Sequence, residues 1–179
     1  MTGGAWDLLT SATAAVCVDL VFARAAAHKL FDLGSFTGFV EDYQVAPRWA
    51  VPTLSRVVVA AEAVVAVALT MPGLRGFGAY LAITMLLAYA VAIAVNIFRG
   101  RRQVECGCGG PPQPLGWSLV IRNIVLVGVA ALVIVSDPSE LSSGEVATSI
   151  AGGIALWAGG ILIEQILANA RLSRWGPNL

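Results

Sequence analysis

The chain is 179 residues long, with 58% hydrophobic and only 12% charged side chains and a mean hydropathy of +0.80. Soluble domains carry roughly 25% charge, so a water-soluble globular fold is excluded. The 11 basic and 11 acidic residues cancel, leaving no basic footprint for nucleic acid, and 3 cysteines are too few for a disulfide-built scaffold.

Five apolar stretches follow one another, each about long enough to cross a bilayer, which takes ~20 residues of helix. The first runs from Trp6 to Ala27 and holds Cys17, Asp19 and Arg24. It lacks the basic start and short apolar run of a cleaved signal, so it is expected to remain as a helix. The connection from His28 to Thr53 is the longest. Within it Phe36, Phe39, Val40 and Tyr43 recur at helical spacing beside Asp32, Glu41 and Asp42. This predicts a short amphipathic helix in the membrane interface, broken by Pro47 and Pro52. Its aromatic residues fit an interfacial anchor better than a docking surface.

The second stretch spans about Leu54 to Met71 and contains Glu62; the third spans about Phe77 to Phe98 and contains Asn96. A polar interruption follows, with Arg99, Arg101, Arg102, Glu105 and the run Cys106-Gly107-Cys108-Gly109-Gly110. The fourth stretch, Trp117 to Val135, carries Arg122 and Asn123. The fifth, Val146 to Ala168, carries Gly152, Gly153, Gly159, Gly160 and Glu164. None shows strand-like alternation, so helices are the expected spanning element. The fold class is therefore an all-α integral membrane protein of one domain, residues 1–179, with a four-helix core over about 6–136 and an additional helix over about 146–168.

Basic residues alternate between connections. Lys29, Arg48 and Arg56 lie in or beside the first, Arg75 alone in the short second, Arg99, Arg101 and Arg102 in the third, and Arg171 and Arg174 in the tail; the fourth has no basic residue and holds Asp137, Glu140 and Glu145. The positive-inside rule then sets the N-terminus outside and the C-terminus inside a cytoplasmic membrane. Cys106 and Cys108 fall on the cytoplasmic side, where structural disulfides are rare.

Two features could carry chemistry. Closing a disulfide across the single residue Gly107 makes a small strained ring, and strained disulfides are the oxidising, labile ones. Neighbouring arginines favour thiolate, whereas Glu105 opposes it. The alternatives are a glycine-rich structural turn and a metal site. The latter is short of ligands, because zinc wants four and only Cys17 and His28 remain. The second feature is charge at membrane depth, which is expensive and normally faces the bundle interior in pairs. Arg24, Glu62, Asn96, Arg122 and Glu164 all approach the half of the membrane beneath the cysteines, and Glu62 is expected to pair with Arg122 or Arg24. A thiol–quinone or thiol–thiol relay would use such a cluster, and so would a bundle that merely fixes helix register. A quinone is thus a candidate cofactor, although nothing in the sequence requires one. The glycines of the fifth stretch suit close helix packing, either within the chain or against a subunit of a larger complex.

These motifs together resemble the MauE family, within the DoxX-like group of small four-helix membrane proteins. The resemblance runs through Leu20-Val21-Phe22, His28-Lys29-Leu30-Phe31-Asp32, Phe39 and Tyr43 before Pro47, and Glu62. It continues through Asn96-Ile97-Phe98-Arg99-Gly100-Arg101-Arg102, the Cys106–Gly110 run and Arg122-Asn123. Members are associated with methylamine utilisation and with disulfide formation in the small subunit of methylamine dehydrogenase. The resemblance implies a thiol-redox or maturation role for Cys106 and Cys108 above a pocket of Arg122, Glu62 and Arg24. The chain departs from the family pattern by its fifth stretch. A single cysteine pair, where quinone-linked disulfide oxidases use two, leaves a second expectation open: a non-catalytic accessory subunit of a larger membrane assembly such as a respiratory complex.

Overall fold

The computed structural model describes residues 3–71, 73–101, 115–135 and 141–175. Their helices are α1 (Gly3–Phe31), α2 (Leu33–Tyr43), α3 (Val51–Thr70), α4 (Arg75–Phe98), α5 (Trp117–Val135) and α6 (Ser143–Trp175), with one 3₁₀ turn at Arg48–Ala50 before α3. Among the described residues, all but α2 supply helices long and apolar enough to cross a membrane, so the chain is a multi-pass membrane protein.

α1, α3, α4 and α5 form a closed four-helix bundle: each packs on the next and α5 returns to α1. The bundle core comes from small and branched side chains at helical spacing, including Val18 and Phe22 of α1, Val65 and Leu69 of α3, Ala79, Ala82 and Leu86 of α4, and Ala130 of α5. Outward positions such as Val57, Val91, Ile124 and Leu132 are exposed, as a lipid-facing surface requires. α6 stands outside the ring and leans on α1. It approaches closely because Gly152 and Gly153 lie over Thr13 and Val16, and a Cβ built on Gly153 would fall 2.5 Å from Val16 Cβ. Two of the four glycines are thereby spent inside the chain. Gly159 and Gly160 have no such neighbour within 4 Å.

Helix ends differ from the sequence expectation by a few residues at several places, most of all in α6, which runs Ser143–Trp175 rather than from Val146 to Ala168. α1 does not stop at Ala27 but continues to Phe31, taking in His28 and Lys29. Pro52 does not break a helix; it occupies the first turn of α3, where a missing N–H costs nothing.

The amphipathic helix of the first connection is present as α2. Asp32 caps it, accepting from the Ser35 amide at 3.0 Å, and the hydrogen bonds from Ser35 hold the Asp32 carboxyl below its ordinary value. Phe36 and Tyr43 are buried while Glu41 and Asp42 face out. Tyr43 joins Ile93, Ile97, Leu115 and Leu119 in a second small core. The C-terminal carbonyls of α2 are held from α4's end: Arg99 Nη1 donates to Gln44 O and Arg101 Nη1 to Asp42 O, each at 3.3 Å. Cations at a helix C-terminus are favourably placed. α2 is thus fastened over the end of the bundle at which α1 and α4 finish and α5 begins.

Candidate functional site: a charged slot between helices

Of the buried polar residues, Lys29, Ser55, Glu62, Asn96 and Asn123 lie towards that same end, and Ser11 and Ser149 lie towards the other. Lys29 Nζ donates to Glu62 Oε1 in a salt bridge sealed from solvent, with the two residues 3% and 0% exposed. Tyr89 OH of α4 donates to the same oxygen at 2.7 Å. The Lys29 ammonium lies 4.9 Å from the Phe36 ring centre and 5.3 Å from that of Tyr89, so two aromatic faces complete its surroundings. Four helices build this one contact. α1 brings Lys29 because it is one turn longer than the hydropathy pattern shows, α3 brings Glu62, α4 brings Tyr89, and α2 folds back to lay Phe36 over the pair.

A second ion pair joins α5 to α6. Arg122 Nε donates to Glu164 Oε1 at 2.6 Å, with both side chains partly exposed. The asparagines bond to their own helices: Asn123 Nδ2 donates to Leu119 O at 2.8 Å and Asn96 Nδ2 to Ala92 O at 3.0 Å.

Between α1, α5 and α6 lies a cavity of about 720 Å³. On α1 it extends from Cys17 to Lys29, about 18 Å at 1.5 Å per residue, and on α6 it covers a similar length from Ala155 to Leu167. Its two ends differ. Cys17, Val129 and Ala155 mark the apolar end, and Arg24, Lys29, Arg122 and Glu164 the charged end, with Glu62 and Tyr89 in the wall. Such a slot exists because α6 is drawn onto α1 at Gly152 and Gly153 and bridged to α5 only through side chains farther along.

From the sequence, Arg122 or Arg24 is expected opposite Glu62. That expectation needs correcting: the structure seats Lys29 there and gives Arg122 to Glu164. The reason is the extra turn of α1, which turns a presumed loop lysine into a buried one. The three expected pocket residues, Arg24, Glu62 and Arg122, do line one cavity. Lys29 and Tyr89 are the members the sequence argument missed. The signal for Lys29 was present, since it continues the buried stripe Ser11, Ala15, Val18, Phe22 and Ala26 at helical spacing. Cys106, Cys108 and Arg102 belong to residues 102–114, outside those described. Cys17 is buried and free in α1.

A ring of apolar helices with one ion pair sealed inside it and a second, partly exposed, reaching the helix beside it defines a polytopic helical membrane protein with a charged interior site. The family can be stated more closely. The family model described as methylamine utilisation protein MauE matches residues 7–136, and the chain belongs to that family. It is 37% identical over 138 residues to the methylamine utilization protein MauE of Paracoccus denitrificans, covering 75% of this chain and 74% of that one. Its identity to the protein of the same description from Methylophilus methylotrophus is 32% over 162 residues, covering 89% of this chain and 83% of that one. Since the second match covers 89% of this chain, it reaches into α6 wherever it begins. No solved structure matches this chain.

Proposed function

We propose that this chain is a membrane thiol–disulfide maturation protein serving methylamine utilisation, in which Cys106 and Cys108 alternate between dithiol and disulfide. A client thiolate attacks one sulfur of the disulfide and releases the other as a thiol. The client's second thiol then resolves the mixed disulfide, leaving the client oxidised and the pair reduced by two electrons. Family membership supports the assignment to methylamine utilisation, since the curated relatives carry that description. The observation that carries the redox reading is the charged slot. Arg101 and Leu115, which flank the cysteine segment, belong to the same end of the bundle as Arg24, Lys29, Glu62 and Arg122. Cations there favour thiolate and would hold charge developing during exchange.

Alternating basic residues support a cytoplasmic membrane location with the cysteine segment facing the cytoplasm, where a pair works as a transient couple rather than a fixed staple. A second reading, an accessory subunit of a larger complex, draws on α6: only 11% of its most apolar window is buried within the chain. Lipid covers such a surface equally well, and Gly152 and Gly153 are already engaged with α1.

Redox titration with mass-tagged alkylation of membranes tests the proposal. It predicts a two-electron couple for Cys106 and Cys108 well above the range of structural disulfides, which lie below about −300 mV. A pair that stays fully reduced or fully oxidised across the titration would remove it.

A further inference from the structure

The slot between α1, α5 and α6 has the properties of a binding site, and we infer that it takes the head of an isoprenoid quinone, with the tail leaving along the apolar end. Its volume of about 720 Å³ lies within the usual range for small-molecule sites, ~300–1,000 Å³, which are mostly apolar with a few convergent polar groups. The chemistry of those groups selects the ligand. Arg24, Lys29 and Arg122 face Glu62 and Glu164, so cations exceed anions by one among the described lining residues. Donors therefore surround the place where a quinone carbonyl, or the oxyanion it becomes on reduction, would sit.

Glu62 narrows the choice further. It is fully buried and lines the slot; Oε1 accepts from both Lys29 and Tyr89, while Oε2 has no partner among the described residues. A buried carboxylate oxygen left unmatched costs stability unless a donor reaches it. A hydroquinone O–H is such a donor. The phosphodiester of an anionic phospholipid is not, because it would bring a second negative charge against Oε2. The slot is also elongated by about 18 Å along α1, which suits a chain of isoprenoid units running from a ring.

As the electron acceptor for Cys106 and Cys108 the quinone rests on the function proposed above. The dithiol loses two electrons and two protons in becoming a disulfide, and the quinone takes up two of each in becoming hydroquinone. As a binding site the slot stands without the thiols.

Trp157 lines the slot, so its fluorescence reports occupancy. The experiment titrates decylubiquinone and its hydroquinone into purified protein in phosphatidylcholine nanodiscs, using Trp157→Phe to isolate the signal. The inference expects saturable quenching in the wild type. Gly159→Leu puts a side chain into the slot from a position where a built Cβ meets nothing within 4 Å; with an unchanged helical circular-dichroism spectrum, its affinity falls by at least about tenfold, or 1.4 kcal/mol. Glu62→Gln weakens hydroquinone more than quinone. Equal quenching in the wild type and Gly159→Leu would mean partition into lipid and would overturn the site. Quenching abolished in phosphatidylglycerol nanodiscs would give the slot to a lipid headgroup and overturn it equally. In the Cys106→Ser/Cys108→Ser protein binding persists. Binding without thiol exchange in the wild type would remove the redox function and keep the site, whereas exchange without binding would do the reverse.

Discussion

Removing one member of the Lys29–Glu62 pair should be among the most damaging single changes this protein can suffer. Lys29→Met leaves a carboxylate that is 0% exposed with only the Tyr89 hydroxyl for company. Glu62→Gln leaves an ammonium in a residue 3% exposed without its counter-ion. Breaking a buried pair from one side costs about 3–5 kcal/mol, because an uncompensated charge stays in a low-dielectric interior. The double variant Lys29→Met/Glu62→Gln removes both charges while the introduced amide still offers Tyr89 an acceptor, and should recover to within ~1–2 kcal/mol of the wild type. The coupling energy between the two sites is then at least ~4 kcal/mol. The chain contains its own control. Arg48 and Glu41 form a pair at 3.2 Å with side chains 90% and 51% exposed, and Arg48→Gln should change stability by no more than ~1 kcal/mol. Unfolding by SDS in mixed micelles, followed by circular dichroism, measures all four variants against the wild type. If the single changes prove as mild as Arg48→Gln, or if their costs simply add in the double variant, the sealed pair is not what holds this end of the bundle.

Other outcomes follow from individual contacts. Gly153→Ala drives a Cβ to 2.5 Å from Val16 Cβ and should cost about 1–3 kcal/mol by overpacking, whereas Gly159→Ala meets nothing within 4 Å and should stabilise α6 by roughly 0.5–1 kcal/mol; the same SDS assay reads both. Burial pushes the Tyr43 phenol from 10.0 up to about 12. Unfolded chains therefore release this proton first, and stability attributable to Tyr43 is intact below about pH 10 and lost as pH rises towards about 12. Tyr43→Phe should remove that alkaline loss in a pH-resolved melt, and an unchanged alkaline slope would refute it. Introduced cysteines near Arg101 should react only with reagents that enter the cell, and those near Glu140 with impermeant ones; impermeant labelling at Arg101 would invert the topology.

The spans were legible because lipid leaves so few options: a run of apolar residues must be a helix, and Trp117–Val135 is bounded in the sequence as it is in the structure. The short helix of the first connection was legible too, from the spacing of Phe36, Val40 and Tyr43. Composition alone reads Lys29, a lysine after an apolar run, as a loop cation, and only its place in the stripe from Ser11 to Ala26 marks it as a helix position. Only the fold shows that α2 doubles back and covers it with Phe36. The clustering of Arg24, Glu62 and Arg122 could be inferred from threading the helices. Their partners could not, since Arg122 reaches Glu164 on a helix that packs outside the bundle. Side-chain pairing depends on helix rotation, which hydropathy does not encode.

The claim at the centre of this account is that Cys106 and Cys108 exchange disulfides with a client, and trapping the intermediate tests it most directly. With either cysteine replaced by Ser, the remaining thiolate can still attack the disulfide of an oxidised client, breaking that client's S–S bond. No partner thiol is left to release it, so the two should stay joined as a mixed disulfide. Native membranes from such cells, alkylated in acid and run without reductant, should show a discrete adduct that reductant dissolves and that the Cys106→Ser/Cys108→Ser protein lacks. The double variant should also fail to replace the wild-type gene. No adduct from either single variant, together with full complementation by the double variant, would contradict the account and leave the pair a turn between two helices.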